Sequence, residues 1–244
     1  MRLLVLYAMH REIGKAARLL GRRTRLPGLP FRAFRFRHPA HTVLAAETGV
    51  GVESAGRVFL RIIEAEKVDA AVSLGYCGAL SPDADIGDLV WASRVCLVRN
   101  GRLEVLPMSD PDKLLEVVSG SLPIRPGTFF TLAGPMKKRE IAPLVPAGTP
   151  LPVCDMETFA LAQHSAAAGL PFFAVRSVSD RYDEDIAFDP RAVCDRFGTY
   201  RPHLAIRLLL SRPGLLPAAL RLSKGSRIAS RSLAQALDAL LRAL

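Results

Sequence analysis

Residues 153–180 read VCDMETFALAQHSAAAGLPFFAVRSVSD, and this stretch decides the fold class. Asp155 and Glu157 precede a run of strong helix formers, and Gly169 stands where that helix is expected to end. After a Leu-Pro turn, the apolar run FFAVRSVSD is typical of a buried strand and ends on Asp180. Helix, tight turn and strand in this order are typical of an open α/β sheet, which places polar groups in a crevice at the carboxyl ends of its strands. We therefore expect Glu157 and Asp180 to face one small ligand.

The length and composition predict a globular protein. A chain of 244 residues, half of them hydrophobic, can bury a substantial core as one large domain or two small ones. Its four cysteines are scattered, without a CxxC pair or nearby paired histidines, which favours a reducing compartment and argues against a zinc site. No apolar run has the length of a transmembrane helix, and the first residues lack the pattern of a signal peptide. We expect a cytoplasmic protein without a bound metal.

The net charge of +10 is concentrated at the two ends of the chain. Glu12 is the only acid before residue 40, and Asp238 is the only acid after residue 200. Basic ends on a balanced central region suggest contact with a polyanionic surface, either anionic lipid or nucleic acid. An arginine-rich composition inherited from a high-GC genome explains the charge equally well.

The remaining segments read as alternating strands and helices. A strand opens the chain and is followed by a helix over 13–20, and a further helix is expected over 110–125. The segment TVLAAETGVGVESAGR reads as strand, glycine turn and helix. Gly49 and Gly51 in this turn allow the backbone to approach a ligand closely, and the helix amino end favours an anion. An ordinary tight turn between a strand and a helix is the alternative.

Several blocks, in their order and spacing, resemble the phosphorylase superfamily of purine nucleoside phosphorylases and methylthioadenosine/S-adenosylhomocysteine nucleosidases. The resemblance covers roughly residues 1–185. Its blocks are AMHRE at 8–12, ETGVGVESA at 47–55, LGYCGALSPDADIGDLV at 74–90, CDMETFALA at 154–162 and VRSVSD at 175–180. The resemblance implies a three-layer αβα fold with a central mixed sheet that is partly barrel-like. It also implies a catalytic domain over 1–205, a basic amphipathic helical tail over 206–244, and a homo-oligomer.

The same resemblance implies roles for three acids. Asp180 would deliver a proton to N7 of adenine, which requires apolar surroundings that raise its pKa. Glu157 would bind the ribose hydroxyls, and Glu12 would activate the attacking water as a general base. Taken singly, each acid has a structural alternative as a strand-end or helix-start residue.

Further site residues follow from the resemblance. The substrate contacts implied are Met156, Gly78, Ser179, Phe130 and Asp155. The phosphate or water site would involve Gly49, Gly51 and Tyr76. No cofactor is implied, and inorganic phosphate stays open as a co-substrate. Phosphorylases commonly carry an arginine and a serine where this chain has Ser73 and Tyr76, and with Glu12 present this favours water as the nucleophile.

The tail suggests a substrate. The tail over 201–244 is expected to have no counterpart in the short nucleosidases, and its stretch LLSRPGLLPAALRLSKGSR, at 209–227, resembles the carboxyl end of the hopanoid-associated phosphorylases. That branch implies removal of adenine from adenosylhopane, whose 5′ carbon carries a lipid, in hopanoid biosynthesis. A basic amphipathic tail would suit peripheral contact with the inner face of an anionic membrane. The alternative is that the leucine stripe over 233–244 packs on the domain or on a second subunit.

Two alternative functions remain. One is a nucleosidase for methylthioadenosine, S-adenosylhomocysteine or a futalosine-type compound. The other is a non-catalytic family member that binds a nucleotide or RNA through its basic ends, although nucleic acid is the less favoured partner.

Overall fold

The computed structural model describes residues 1–106, 108, 120, 122–195 and 198–243. The strands in this part of the chain are β1 Arg2–Tyr7, β2 Arg23–Arg25, β3 Ala33–Arg37, β4 Thr42–Glu47, β5 Ala70–Ala79, β6 Leu89–Arg99, β7 Arg102–Leu106, β8 Ile124–Leu132, β9 Pro152–Asp155 and β10 Phe172–Asp180. The α-helices are α1 His10–Ile13, α2 Ala16–Leu19, α3 Val52–Ala65, α4 Lys138–Ile141, α5 Thr158–Ala167, α6 Pro202–Ser211 and α7 Leu216–Ala243.

The strands form one mixed sheet that closes on itself at one end. Strand β10 pairs in parallel with β5 and antiparallel with β6, β6 pairs with β8, β8 with β9, and β9 with β5. These five strands therefore make a ring, while β1, β4, β3 and β2 extend from β5 as an open wing. The prediction of a mixed, partly barrel-like sheet is confirmed.

Helices cover both faces of the sheet and complete three layers. On one face, Phe59 and Ile62 of α3 and Phe159 and Leu161 of α5 belong to the same buried apolar cluster. On the other face, residues of α1, α2 and α7 share a cluster with the outward side chains of β1 and β10. The α/β class and the three-layer arrangement predicted from the sequence are confirmed.

The last helix packs on the domain over its second half. Leu233, Leu237 and Leu240 are fully buried against the sheet, which is the alternative considered for this leucine stripe. The predicted boundary between 205 and 206 lies within α6, and the division into a catalytic domain and a tail stays a prediction. Among the helices that the structure describes, none is both long and apolar enough to cross a membrane.

Two local predictions differ from the structure. The expected helix over 13–20 is divided into α1 and α2, which meet around Gly14, a weak helix former. The expected helix over 110–125 falls mainly outside the described residues, and its last two residues already belong to β8.

Candidate active site

The carboxyl ends of four parallel strands meet at one edge of the sheet. Strands β4, β1, β5 and β10 are neighbours and run in the same direction. Glu12 follows β1, Gly49 and Gly51 follow β4, and Asp180 is the last residue of β10. The sequence-predicted acids therefore come to a common edge, where open α/β sheets place their ligands.

Arg176 is the charged centre of this edge. It lies in the middle of β10 and is almost completely buried. Its guanidinium forms an ion pair with Asp155 at 2.8 Å. It also donates to the hydroxyls of Ser73, at 3.0 Å, and Thr158, at 2.8 Å. Because a buried guanidinium is costly unless it is paired and hydrogen-bonded, these contacts explain how a cation is tolerated inside an apolar strand.

Glu12 is buried and held by backbone amides. One carboxylate oxygen accepts from the Met9 N–H at 2.9 Å, and the other accepts from the Tyr76 N–H at 3.1 Å. Burial raises the pKa of Glu12 to about 7, and the amides and Arg176 oppose this rise. A carboxylate with a pKa near the ambient pH is well suited to accept a proton from water.

Glu157 is the N-cap residue of α5 and is also buried. Its Oε1 accepts from the Gly51 N–H at 2.9 Å, and Gly51 has a φ of 104°, which side-chain-bearing residues rarely adopt. Burial and the nearby charge of Asp155 raise the pKa of Glu157, while Arg176 opposes the rise. Glu12 and Glu157 thus lie in one electrostatic cluster around the guanidinium.

Asp180 lies in a different part of the same edge. Its Oδ2 is 2.5 Å from the ammonium of Lys138, and its Oδ1 accepts from the Ser179 hydroxyl at 2.7 Å. Burial raises the pKa of Asp180 against the opposing charge of Lys138. A Cβ at Gly78 would be 2.7 Å from Oδ2, so the carboxylate fits only because this residue is a glycine.

Asp180 and Glu157 are linked through neighbouring strands. Asp180 pairs with Gly78, and Gly78 pairs with Cys154, three residues before Glu157. Asp180 also lines a cavity of about 300 Å³, together with residues 183–188 and Ala218, Arg221 and Leu222 of α7. Glu12 and Glu157 are not among the residues lining this cavity.

Two side chains connect the cavity to the glutamate cluster. Phe188 lines the cavity, and it packs on a small apolar cluster made by Ala8, Val50, Val193 and Cys194. Met156 packs on the same cluster and is only half-buried. Phe188 and Met156 thus pack on one apolar cluster, which also contains Ala8 and Val50.

Two predicted substrate contacts are occupied by the protein itself. The side chain of Asp155 is almost inaccessible and accepts from Thr131, from both the amide and hydroxyl of Thr158, and from Arg176. It holds Arg176 in place and does not face the cavity. Phe130 is buried in an apolar cluster with Ile141, against which Met156 also packs.

The predicted phosphate cradle has its amides engaged. The Gly49 N–H donates to the Ala8 carbonyl at 3.1 Å, and the Gly51 N–H donates to Glu157. The hydroxyl of Tyr76 is directed to α7, where it contacts Ser230 at 2.6 Å, so only the Tyr76 amide reaches the site. Within the described residues, no group of three or more His, Cys, Asp or Glu side chains could hold a metal ion.

Sequence reasoning missed Arg176 and Lys138. The signal for Arg176 was a single charge inside FFAVRSVSD, since a buried strand carries a charge only when partners are built around it. Lys138 stands in the polar run KKRE, which reads as an exposed helix start. Nothing in that pattern distinguishes it from the exposed Lys137 beside it.

Known proteins share both the sequence pattern and the fold. A 5′-methylthioadenosine/S-adenosylhomocysteine nucleosidase of Shewanella piezotolerans is 23% identical over 189 residues, which cover 68% of this chain and 80% of that protein. The MTA/SAH nucleosidase of Streptococcus pneumoniae, solved with 8-aminoadenine, aligns with a TM-score of 0.75 at 20% identity and covers 100% of both chains. The futalosine hydrolase of Helicobacter pylori aligns with a TM-score of 0.74 at 16% identity, covering 100% of this chain and 98% of that one.

These comparisons correct one expectation and establish the family. The tail was expected to lack a counterpart in the short nucleosidases, which is wrong, since the S. pneumoniae alignment extends over the whole chain. The family model of the Phosphorylase superfamily matches residues 2–199, which include Glu12, Glu157 and Asp180. The chain therefore belongs to the phosphorylase superfamily of enzymes, as its sequence blocks predict.

Proposed function

We propose that this chain hydrolyses the N-glycosidic bond of an adenine nucleoside that carries a bulky apolar 5′ group, of the adenosylhopane type. The observation that carries the proposal is the common sheet edge that holds Glu12, Glu157 and Asp180, all three buried and all three with raised pKa values. The proteins that this chain resembles include nucleosidases for methylthioadenosine and S-adenosylhomocysteine, which agrees with this class of reaction.

The chemistry needs an acid for the leaving base and a base for water. In the proposed reaction the C1′–N9 bond breaks, its electron pair goes to the purine, and Asp180 delivers a proton to N7. Water forms the new bond to C1′ and gives its proton to Glu12, whose pKa of about 7 suits a general base. Glu157, when ionised, would accept hydrogen bonds from the ribose hydroxyls, and Met156 would contact the sugar.

Water is the better candidate for the nucleophile. Phosphate binding at a glycine turn depends on backbone N–H groups that point toward the anion. Here the amides of Thr48, Gly49, Val50 and Gly51 donate to protein acceptors, at 2.8 to 3.1 Å. A phosphate would have to displace these bonds, including the one that positions Glu157.

The 5′ group is inferred from what borders the cavity. We use the term elbow for residues 206–224, from α6 into the start of α7. Ala218 and Leu222 of the elbow line the cavity that contains Asp180. On its outer surface Leu210 is 79% exposed and Leu220 is 62% exposed. An apolar substituent leaving the cavity here would meet an apolar surface.

The charge of the elbow favours an anionic membrane as its neighbour. Arg207, Arg212 and Lys224 are exposed, and residues 201–224 contain no acid. Exposed leucines together with basic residues are typical of segments that lie in the membrane interface. We propose that the elbow makes a peripheral contact with the membrane that supplies the lipid-linked nucleoside.

Adenine release from a panel of nucleosides tests the proposed reaction. The panel comprises methylthioadenosine, S-adenosylhomocysteine, futalosine (whose release is followed as hypoxanthine), adenosine and an adenosine bearing a long 5′ alkyl chain. We expect adenine release, fastest from the 5′-alkyl compound, and a loss of about 10²–10⁴-fold in Asp180→Asn. Asp83→Asn, which changes an exposed acid on the turn after β5, is the matched control and should retain full activity.

Two other outcomes would change or contradict this proposal. Faster release from methylthioadenosine or S-adenosylhomocysteine would replace the lipid proposal by the short-substrate alternative. The absence of base release from every compound would contradict the proposed reaction.

A further inference from the structure

The nearest partner of Asp180 is a buried lysine. Lys138 is the first residue of α4, and its ammonium is 2.5 Å from Asp180 Oδ2, with both side chains less than 10% exposed. The ammonium also donates to the carbonyl oxygen of Asp180 at 3.2 Å and to that of Arg181. The Lys138 N–H donates to Asp185 at 2.8 Å, which fixes the start of α4 against the loop after β10.

The other ionisable groups around Asp180 do not supply the positive charge that Lys138 provides. Cys77 of β5 is buried and Cys154 of β9 is half-buried, and desolvation raises the pKa of both thiols, so they stay neutral. Glu184 adds negative charge from the following loop and lies 4.0 Å from Arg221 of α7. Within the described part of the chain, Lys138 is the cation at ion-pair distance from Asp180.

This pair conflicts with the role of Asp180 as an acid. A carboxylate that contacts an ammonium at this distance is stabilised in its ionised form, whereas proton delivery to a purine requires the neutral carboxyl. The conflict is resolved if the protonation of Asp180 changes during the reaction cycle.

We propose that Lys138 is a positioning residue that keeps Asp180 ionised in the empty site and stabilises the negative charge that returns to Asp180 during base release. This inference rests on the proposed nucleosidase function. When the nucleoside binds, the carboxylate takes up one proton from solvent. It passes that proton to N7 as the C1′–N9 bond breaks, and Asp180 returns to the carboxylate beside an ammonium that has kept its own protons. The developing charge thus meets a preorganised cation, the arrangement through which enzymes lower barriers electrostatically.

The surroundings of the lysine support a fixed position. Two backbone carbonyls accept hydrogen bonds from the ammonium and hold it beside the Asp180 carboxylate, so it does not have to reorganise as Asp180 changes charge. Gly78 allows this approach, since a Cβ there would be 3.0 Å from Lys138 Cε.

A carboxyl titration followed by NMR tests the ion pair without relying on activity. Protein labelled with ¹³C at aspartate carboxyls is titrated as wild type, Lys138→Met and Lys138→Arg, with Asp180→Asn identifying the signal. We expect Asp180 in Lys138→Met to take up its proton about 1 to 3 pH units higher than in the wild type, because the ammonium is lost. Lys138→Arg should stay close to the wild type. Unchanged titration in Lys138→Met would overturn the inference.

The pH profile of base release tests the second part of the proposal, that Lys138 stabilises the charge on Asp180 during the reaction. If Asp180 must be protonated, kcat/KM falls as pH rises through its pKa, so the basic limb should move to higher pH in Lys138→Met while kcat falls. The exposed neighbour Lys137 gives the matched control, because Lys137→Met should leave both the limb and kcat unchanged. A reduced kcat with an unmoved limb would mean a structural role and would overturn the inference. If the titration of Asp180 shifts in Lys138→Met but no nucleoside releases its base, the role of the ion pair is supported and the proposed function is contradicted.

Discussion

Three carboxylates lie around the guanidinium of Arg176, and they do not share it equally. Asp155 forms the close ion pair, whereas Glu12 and Glu157 are influenced by the same charge without a direct salt bridge to it. Because burial is then the larger influence on both glutamates, their pKa values rise. One buried arginine thereby leaves two glutamates able to exchange protons near neutral pH.

The raised pKa of Glu12 predicts a pH dependence of stability. In the unfolded chain Glu12 releases its proton near pH 4.5, whereas the folded protein keeps it until about pH 7. The contribution of Glu12 protonation to the free energy of unfolding is therefore fully present below pH 4.5. It falls by roughly 3 kcal/mol as pH rises to about 7. Glu12→Gln removes this proton exchange, so its free energy of unfolding should fall less than that of the wild type over the same pH range.

Urea unfolding at several pH values measures this difference. The informative quantity is the change in the free energy of unfolding with pH, because Glu12→Gln also disturbs two backbone hydrogen bonds and lowers stability at every pH. Glu53→Gln, an exposed acid at the start of α3, serves as the control and should keep the wild-type slope. Equal slopes in wild type and Glu12→Gln would contradict an unusual protonation of Glu12.

Sequence reasoning at the residue scale identified the acids and missed the cations. Glu12, Glu157 and Asp180 stand at element ends, where the order of strands and helices predicts a common edge. Arg176 and Lys138 are defined by long-range partners, Asp155 and Asp180, whose proximity depends on strand pairing that a single sequence does not display. Asp155 was assigned to substrate for the same reason, since its partner across the strands was not visible.

At the scale of elements, α7 has two halves with different surroundings. Its buried residues begin at Gly225, and a Cβ there would lie only 2.0 Å from the Ser179 carbonyl oxygen, so the helix packs closely on β10. The preceding elbow buries none of its large apolar side chains completely. Packing of the leucine stripe was the alternative to membrane contact, and because the second half of α7 is packed, the proposed membrane contact is confined to the elbow.

Point variants of the elbow test membrane contact better than truncation. Removing the chain after Pro213 would take away Leu233 and Leu237, which are fully buried in the core, and the domain would lose stability. Leu210→Ser with Leu220→Ser changes two exposed residues instead. We expect wild type to sediment with vesicles containing phosphatidylserine and the double variant to remain largely in the supernatant, because the apolar anchor is lost.

Two comparisons make the vesicle experiment specific. Val105→Ser, on β7, replaces another exposed apolar residue and should bind like the wild type. Binding should also weaken with salt and on vesicles of neutral phosphatidylcholine, since basic residues contribute about 1 kcal/mol each near an anionic surface. Equal sedimentation of wild type and the double variant would rule out the elbow as the contact.

At the scale of the whole molecule, the ring of five strands determines where the site forms. Strand β10 pairs with both β5 and β6, which brings Asp180 beside Gly78 and close to the loop before α5. The sequence predicted a mixed, partly barrel-like sheet through its family resemblance. The individual pairings could not be read from local patterns, because register between distant strands depends on contacts across the whole core. The homo-oligomer implied by the same resemblance stays a prediction.

The central claim is that water cleaves a purine nucleoside at this edge of the sheet. The most direct measurement is the reaction in H₂¹⁸O with inorganic phosphate present, followed by mass spectrometry of both products from the 5′-alkyl adenosine. We predict unlabelled adenine and a free sugar that carries ¹⁸O at C1′, with both products formed about 10²–10⁴-fold more slowly by Asp180→Asn. A sugar 1-phosphate in place of the labelled sugar, or no release of adenine, would contradict it.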